Sequence, residues 1–179
     1  MRHMLRSTWW VCCFLLCPAL ASAQAQEQSL PAEVLQVLRH RIGQWDIRND
    51  VLGPDGSVAR VSTERHEVRF VINDQIVETH GFIEGHEDFR SFLLFNPALG
   101  KYMQITIDRS NNHVDLLADR ETPYRFTSNP FVAPNGASVL FRQVFTTVEP
   151  DRVVGYGEIS ADGGTTWRRV YNQYRTRRH

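Results

Sequence analysis

The stretch Arg41-Ile42-Gly43-Gln44-Trp45-Asp46-Ile47 separates a short helical pattern from a long series of alternating apolar and polar residues. Gly43 has no Cβ, so the chain can turn sharply out of the helix at this position. From Trp45 onward the alternation has the period of a half-buried strand, with Trp45 and Ile47 pointing inward. The stretch therefore predicts a change from helix to sheet, with a tryptophan on the inner face of the first strand.

A short amphipathic helix is predicted directly before this stretch, over residues 31–41. Ser29 and Pro31 are both favourable residues at the start of a helix. One apolar face is formed by residues at helical spacing: Val34, Leu35, Leu38 and Ile42. Because so short a helix is marginal on its own in water, we expect it to lie against one end of a barrel.

The chain after Trp45 consists of alternating segments joined by short turns rich in glycine, proline and asparagine. They predict about ten strands spaced roughly 8–12 residues apart. No helical pattern separates the strands, so parallel βαβ units are excluded, and no repeat of propeller length occurs. The sequence predicts an all-β fold, a single up-and-down antiparallel β-barrel of about 8–10 strands with a short N-terminal helix at one end.

Residues 160–167 match the pattern Ser-x-Asp-x-Gly-x-Thr-Trp, which is known as an Asp-box. The carboxylate of Asp162 can accept hydrogen bonds from turn N–H groups, and Gly164 can adopt a left-handed conformation. The residues predicted to hold this turn are Ser160, Asp162, Gly164, Thr166 and Trp167. The motif predicts a β-hairpin and no function, because it occurs in many unrelated β proteins.

Residues 1–23 are predicted to be a cleaved signal peptide. Arg2 and Arg6 give a positive start, and residues 9–16 form an apolar run too short to span a bilayer. Small residues at 21–23 then provide a cleavage site, and residues 24–30 are predicted to be flexible. We therefore expect an exported bacterial protein, periplasmic or secreted, without a stable membrane span.

Composition limits the chemistry of the mature chain. All three cysteines lie within residues 1–23, so thiol catalysis, cysteine-bound metal and disulfides are excluded after cleavage. Removal of the leader leaves 18 basic and 20 acidic side chains, without the basic excess of a nucleic-acid-binding domain. We expect one domain over residues 31–178 and no nucleic-acid partner.

The Gly43-Gln44-Trp45 start, the strand meander and the arginine- and tyrosine-rich last strand resemble secreted lipocalin-like, or calycin-type, barrels. They are similar to a bacterial family of unknown function, and the resemblance covers residues 31–178. In lipocalins an arginine of the last strand packs on the first-strand tryptophan. The resemblance implies this contact between Trp45 and one of Arg169, Arg175 or Arg177, and Arg175 is assigned here.

The resemblance also implies an interior that can hold one small ligand. Alternation along the second predicted strand places Glu64 and His66 on the inner face, as polar groups that would orient a ligand. The residues expected to form the binding site are Glu64, His66, Phe70, Leu93, Phe95, Phe141 and Phe145. The predicted function is binding of a small apolar or amphipathic molecule.

The register of the next strand leaves two alternatives open. The inner face carries either one set, Ile76, Glu78, His80 and Phe82, or the other, Val77, Thr79 and Ile83. In the first case His66 and His80 could lie side by side and suit zinc, or one of them could ligate haem iron. Solvated or hydrogen-bonded histidines are commoner, so neither a metal site nor a cofactor is predicted.

No catalytic residue is assigned, because the chain lacks a nucleophile elbow, a zinc-protease motif, a phosphate loop and a dinucleotide fingerprint. Binding is therefore favoured over catalysis. Two alternatives stay open. One is an enzyme of isomerase or hydrolase type that uses the same cavity. The other is an envelope interaction protein, or a homodimer, that uses an outer hydrophobic patch around Phe92 and Leu94.

Overall fold

The computed structural model describes residues 29–133 and 136–179. The predicted signal peptide, residues 1–23, and the segment 24–28 lie outside the described residues. Leu30, at the end of the predicted flexible segment, is buried, with 9% of its surface exposed. The hydrophobic cluster of the barrel therefore already includes Leu30, directly before the predicted helix.

The described residues form one regular helix, eleven strands and one tight turn. The helix is α1 (Ala32–Arg41), and the turn is α2 (Ile72–Gln75). The strands are β1 (Gly43–Leu52), β2 (Val58–Val71), β3 (Ile76–Ile83), β4 (His86–Asn96), β5 (Lys101–Asp108), β6 (His113–Asp119), β7 (Arg125–Ser128), β8 (Phe131–Val132), β9 (Ser138–Glu149), β10 (Arg152–Ser160) and β11 (Arg168–Arg178). Among the described residues, no helix is long and apolar enough to cross a bilayer.

Ten of these strands close into an antiparallel barrel. Neighbouring strands follow the chain from β1 to β7, then β9, β10 and β11, and β11 pairs with β1 to close the ring. The short β8 pairs with β9, which is its one neighbour among the described strands, and lies outside the ring. The predicted all-β barrel with an N-terminal helix is therefore confirmed.

The helix α1 covers one end of the barrel. Val34 and Leu38 are fully buried on its inner face, and the helix packs against β3 and β4. An ion pair between Glu33 and Arg120 links the outer side of α1 to the turn after β6. The chain then leaves the helix at Gly43, whose φ of +124° is in the region that favours glycine. This is the sharp change of direction predicted from the sequence.

The register between β2 and β3 is fixed by a four-residue connection. Val71 pairs with Ile76, and Ile72, Asn73 and Asp74 between them all have positive φ. Val77 and Thr79 therefore face the interior. Glu78 and His80, two residues of the alternative set, face outward.

This register separates the two histidines that would have formed a pair. His66 pairs with Gly81, and His80 pairs with Glu67 on the opposite face of the sheet. The side-by-side arrangement of His66 and His80 is therefore wrong, because an even-numbered loop keeps them on different faces.

Phe92 and Leu94 lie on the outer face of β4, as the alternation predicted. Both side chains are half-buried because neighbouring strands place further apolar side chains beside them. These outer neighbours are Ile76, Met103, Ile105 and Leu117. The barrel thus carries an outer apolar patch across β3 to β6, and its use as an interface stays a prediction.

The turn over residues 160–167 is held by its own polar side chains. The Asp162 carboxylate accepts hydrogen bonds from the Thr166 backbone N–H at 2.9 Å and from the Thr166 hydroxyl at 2.6 Å. The Ser160 Oγ accepts from the Gly164 N–H at 2.8 Å, and Trp167 Nε1 donates to the Gly164 carbonyl at 2.9 Å. The bonds from Thr166 lower the pKa of Asp162 to about 2. These hydrogen bonds therefore stabilise the turn of the β10–β11 hairpin.

Candidate ligand-binding cavity

The barrel encloses a cavity of about 430 Å³ next to α1. Its walls are largely apolar and include Val68, Val77, Leu93, Leu116, Phe141 and Phe145. Phe131 of β8 also lines the cavity and is 40% exposed, so one of the lining side chains is in contact with solvent. The volume lies within the range of about 300–1,000 Å³ that is usual for small-molecule sites.

Five of the seven predicted site residues line this cavity: Glu64, His66, Leu93, Phe141 and Phe145. Phe70 and Phe95 do not. Both pack in the hydrophobic cluster that includes Val34 and Leu38 of α1, and Phe95 lies edge-on to Tyr102 with ring centroids 5.0 Å apart. Alternation gave the correct face for Phe70 and Phe95. It could not show that α1 and its neighbours fill the interior at that level.

A chain of polar side chains crosses the inner wall. Asn49 donates to Glu64 Oε1 at 2.6 Å, and His66 Nε2 lies 2.9 Å from Glu64 Oε2. Gln173 donates to Asn49 at 2.9 Å, and Arg175 Nε donates to Gln173 at 2.7 Å. Asn49, His66 and Gln173 are buried, so these bonds satisfy groups that would otherwise be costly to enclose.

His66 is held in its neutral form by its surroundings. Burial lowers its pKa from the ordinary value of 6.5, and the nearby Arg175 adds to this, whereas Glu64 opposes it. Since the unfolded chain takes up the proton first as the pH falls below 6.5, the contribution of His66 to stability is present above that pH. It is lost as the pH falls through the lower folded pKa.

We therefore expect the His66 imidazole to be neutral at pH 7 and to titrate below 6.5 in the folded protein. A pH series of long-range ¹H–¹⁵N spectra, with His66→Gln used to assign the signal, measures this directly. A midpoint at or above 6.5 would contradict the burial of His66 in an apolar wall.

Two buried guanidinium groups share one aromatic ring. The Cζ of Arg41 lies 4.6 Å from the ring centroid of Phe145, and that of Arg175 lies 4.7 Å from it. Both arginines line the cavity. Burial lowers the pKa of both groups, that of Arg41 to about 9 and that of Arg175 to about 10, and repulsion from Arg175 lowers that of Arg41 further.

The two arginines differ in what balances their charge. The Glu64 carboxylate favours the charged form of Arg175, whereas no carboxylate of the described residues acts on Arg41. The C-terminus of α1 stabilises a cation by about 0.3–1 kcal/mol, and a desolvated cation–π contact stabilises it by about 2 kcal/mol. Burying an ion costs several kcal/mol, so these contacts offset only part of the cost at Arg41.

The end of the cavity near α1 is closed by Trp45, which is 3% exposed. Its Nε1 donates to the Arg41 carbonyl at 2.9 Å, and the guanidinium of Arg177 lies over its ring at 4.2 Å. Arg177 also donates to the carbonyls of Ile42 and His40. The last-strand arginine is therefore present, and it fixes the tryptophan to the end of the helix.

The assignment of this contact to Arg175 is wrong. The register of β1 and β11 pairs Trp45 with Arg177 and Ile47 with Arg175. Arg175 therefore lies two residues further along the strand and stacks on Phe145 in the cavity wall. Arg177 was one of the three alternatives left open by the sequence.

Over the described part of the chain, no group of three or more histidine, cysteine, aspartate or glutamate side chains is arranged to hold a metal ion. His66 has Glu64 as its carboxylate neighbour. The Nε2 of His80 lies 3.2 Å from Glu78 on the outer face. The absence of a metal or cofactor in the protein stays a prediction.

Sequence reasoning missed several residues of the cavity, above all Arg41, His40, Gln143 and Gln173. Arg41 carried a usable signal. It is three residues after Leu38, so it lies on the apolar face of α1 where a charged side chain is unexpected. Gln143 lies between Phe141 and Phe145 on the inner face of β9, so the alternation along this strand also indicates it.

Comparison with known proteins supports the fold. No protein-family model matches the chain, and no curated protein matches it. The crystal structure of Rv2717c from M. tuberculosis is similar, with a TM-score of 0.53 and 14% sequence identity, over 84% of this chain and 100% of that chain. At this identity the similarity supports a shared fold and shows nothing about the ligand.

Proposed function

We propose that this protein is an exported binding module that holds one small apolar or amphipathic molecule inside its barrel. The observation that carries the proposal is the cavity of about 430 Å³, which has apolar walls and a few polar groups. Such a combination is the usual form of a small-molecule site, because the walls supply affinity and the polar groups fix orientation. Export rests on the predicted signal peptide over residues 1–23.

The test uses pyrenebutanol, a neutral aromatic alcohol whose fluorescence reports an apolar environment. We expect saturable binding to one site in the wild type. Thr79→Trp places a large ring on the cavity wall, and it should weaken binding at least about tenfold, or about 1.4 kcal/mol. Thr63→Trp makes the same change on the exposed outer face of β2 and should leave binding unchanged.

The outcomes separate the three functional hypotheses. Unsaturable binding, or equal loss in Thr79→Trp and Thr63→Trp, would contradict a cavity site. The outer patch around Phe92 and Leu94 would then be the better candidate, with native mass as its readout. The Glu64–His66 pair favours the enzyme alternative, since a carboxylate beside an imidazole can support a general base. We expect the probe to be recovered chemically unchanged, and its conversion would favour an enzyme.

A further inference from the structure

Within the part of the chain that the structure describes, Arg41 is a buried cation without an anionic partner. Its Nη2 is enclosed and has no hydrogen-bond partner within residues 29–133 and 136–179. No ion pair to Arg41 is formed in that part of the chain, and its guanidinium rests on Phe126 at 5.7 Å and on Phe145 at 4.6 Å. Buried guanidinium groups in proteins normally have a carboxylate or phosphate partner, often through two parallel hydrogen bonds.

The charges of the cavity wall do not balance. Among the described residues, the formally charged side chains of this wall are Arg41, Arg175 and Glu64. Glu64 interacts electrostatically with Arg175, to which the polar chain of Asn49 and Gln173 also connects it. Burial lowers the pKa of both histidines of the wall, His40 and His66, and so favours their neutral forms. One positive charge, that of Arg41, is therefore left over.

We infer that the molecule bound in the barrel is an amphipathic monocarboxylate, and that Arg41 binds its carboxylate group. The inference rests on the proposed function and names the class of its ligand. A single negative charge balances the single unpaired cation, whereas a phosphate monoester near neutral pH carries more charge than the wall can compensate. The carboxylate supplies the acceptor that Arg41 lacks.

The surroundings of Arg41 fit this arrangement. His40 precedes it in α1, lines the same cavity and also has an enclosed nitrogen, Nε2, without a partner among the described residues. Tyr124 lines the cavity as well and interacts electrostatically with Arg41. The apolar part of the ligand would lie along Leu93 and Phe141. The polar end of the ligand is thus placed at the covered end of the barrel.

The experiment compares pyrenebutyric acid with pyrenebutanol, which share the ring and linker and differ in the carboxylate. At pH 7.5 and low ionic strength we expect the wild type to bind the acid at least about tenfold more tightly than the alcohol. Arg41→Met keeps an unbranched apolar side chain, removes the charge and should abolish this preference. Arg48→Met removes an arginine that is exposed on the outer face of β1, and it should keep the preference.

The alcohol reports whether the cavity exists, so the two proposals fail differently. Equal affinities for acid and alcohol in the wild type would overturn the inference and leave the proposed function standing. If the wild type binds neither probe, both the inference and the proposed function are overturned. An acid preference that persists in Arg41→Met would also overturn the role of Arg41.

A second measurement does not depend on the folding of a variant. In the wild type, we expect the side-chain ¹⁵Nε–¹H signal of Arg41 to shift on addition of pyrenebutyric acid and to move less with pyrenebutanol. Identical responses to the two probes would contradict carboxylate binding by Arg41.

Discussion

Trp45→Ala is expected to destabilise the protein by about 3–5 kcal/mol, the usual cost of removing a large buried aromatic side chain. Trp45 is 3% exposed and joins three elements at the covered end of the barrel. Its ring lies under Arg177 of β11, and its Nε1 bonds to the carbonyl of Arg41 at the end of α1. Truncation would remove the ring, leave the Arg41 carbonyl without this donor and release Arg177 from its stacking partner.

Urea melts at pH 7 measure this loss, and Trp167→Ala is the matched control. Trp167 is half-buried at the β10–β11 turn, where it stacks with Arg142 at 3.9 Å. It lies outside the hydrophobic cluster, so its truncation should cost clearly less. A loss below about 1 kcal/mol for Trp45→Ala would mean that the tryptophan does not anchor this end of the barrel.

The sequence carried the strand architecture because the alternation of apolar and polar residues is a local signal. Trp45 and Ile47 alternate with exposed residues because one face of β1 is buried. Gly43 marks the turn out of the helix because few other residues adopt its backbone conformation. Such features can be recognised without knowing which strands pair.

The register of paired strands could not be predicted, because it depends on contacts that no local sequence pattern contains. The choice between Arg175 and Arg177 depends on the β1–β11 register, which is set between residues far apart in the chain. The choice between Thr79 and His80 depended on the number of residues in one loop. In each case a shift of one or two positions changed which side chain reaches the cavity.

The extent of the cavity could not be predicted either. Phe95 and Leu93 lie on the same face of β4, but only Leu93 borders the empty space. The difference depends on how far α1 and its neighbours fill the barrel, which is a property of three-dimensional packing. Arg41 had a local signal in its position on the apolar face of α1, and only the structure shows that no carboxylate of residues 29–133 and 136–179 lies beside it.

Gly155 shows how one small residue shapes the cavity wall. Gly155 of β10 pairs with Phe145 directly beside an irregularity, where β9 contains one extra residue, Thr146. The two backbones are close at this point. A Cβ on Gly155 would lie 2.5 Å from the carbonyl oxygen of Val144 and 2.8 Å from Cδ1 of Phe145. Both distances are too short for a non-bonded contact, and the first is to a backbone atom.

Gly155→Ala is therefore expected to cost about 3 kcal/mol of stability, at the upper end of the overpacking range. Gly157→Ala is the matched control on the same strand. The three atoms nearest to its Cβ would all belong to the ring of Tyr171, a side chain that can shift without displacing the backbone. We expect a loss of about 1 kcal/mol for this variant, measured for both in urea melts.

The same substitution also tests the link between packing and ligand recognition. Phe145 supports the guanidinium groups of both Arg41 and Arg175. If Gly155→Ala pushes β9 and the Phe145 ring aside, the folded variant should lose part of its preference for pyrenebutyric acid over pyrenebutanol. Equal stability losses for Gly155→Ala and Gly157→Ala would show that the β9 backbone yields as easily as a side chain. The close approach of β9 and β10 would then have no role in positioning Phe145.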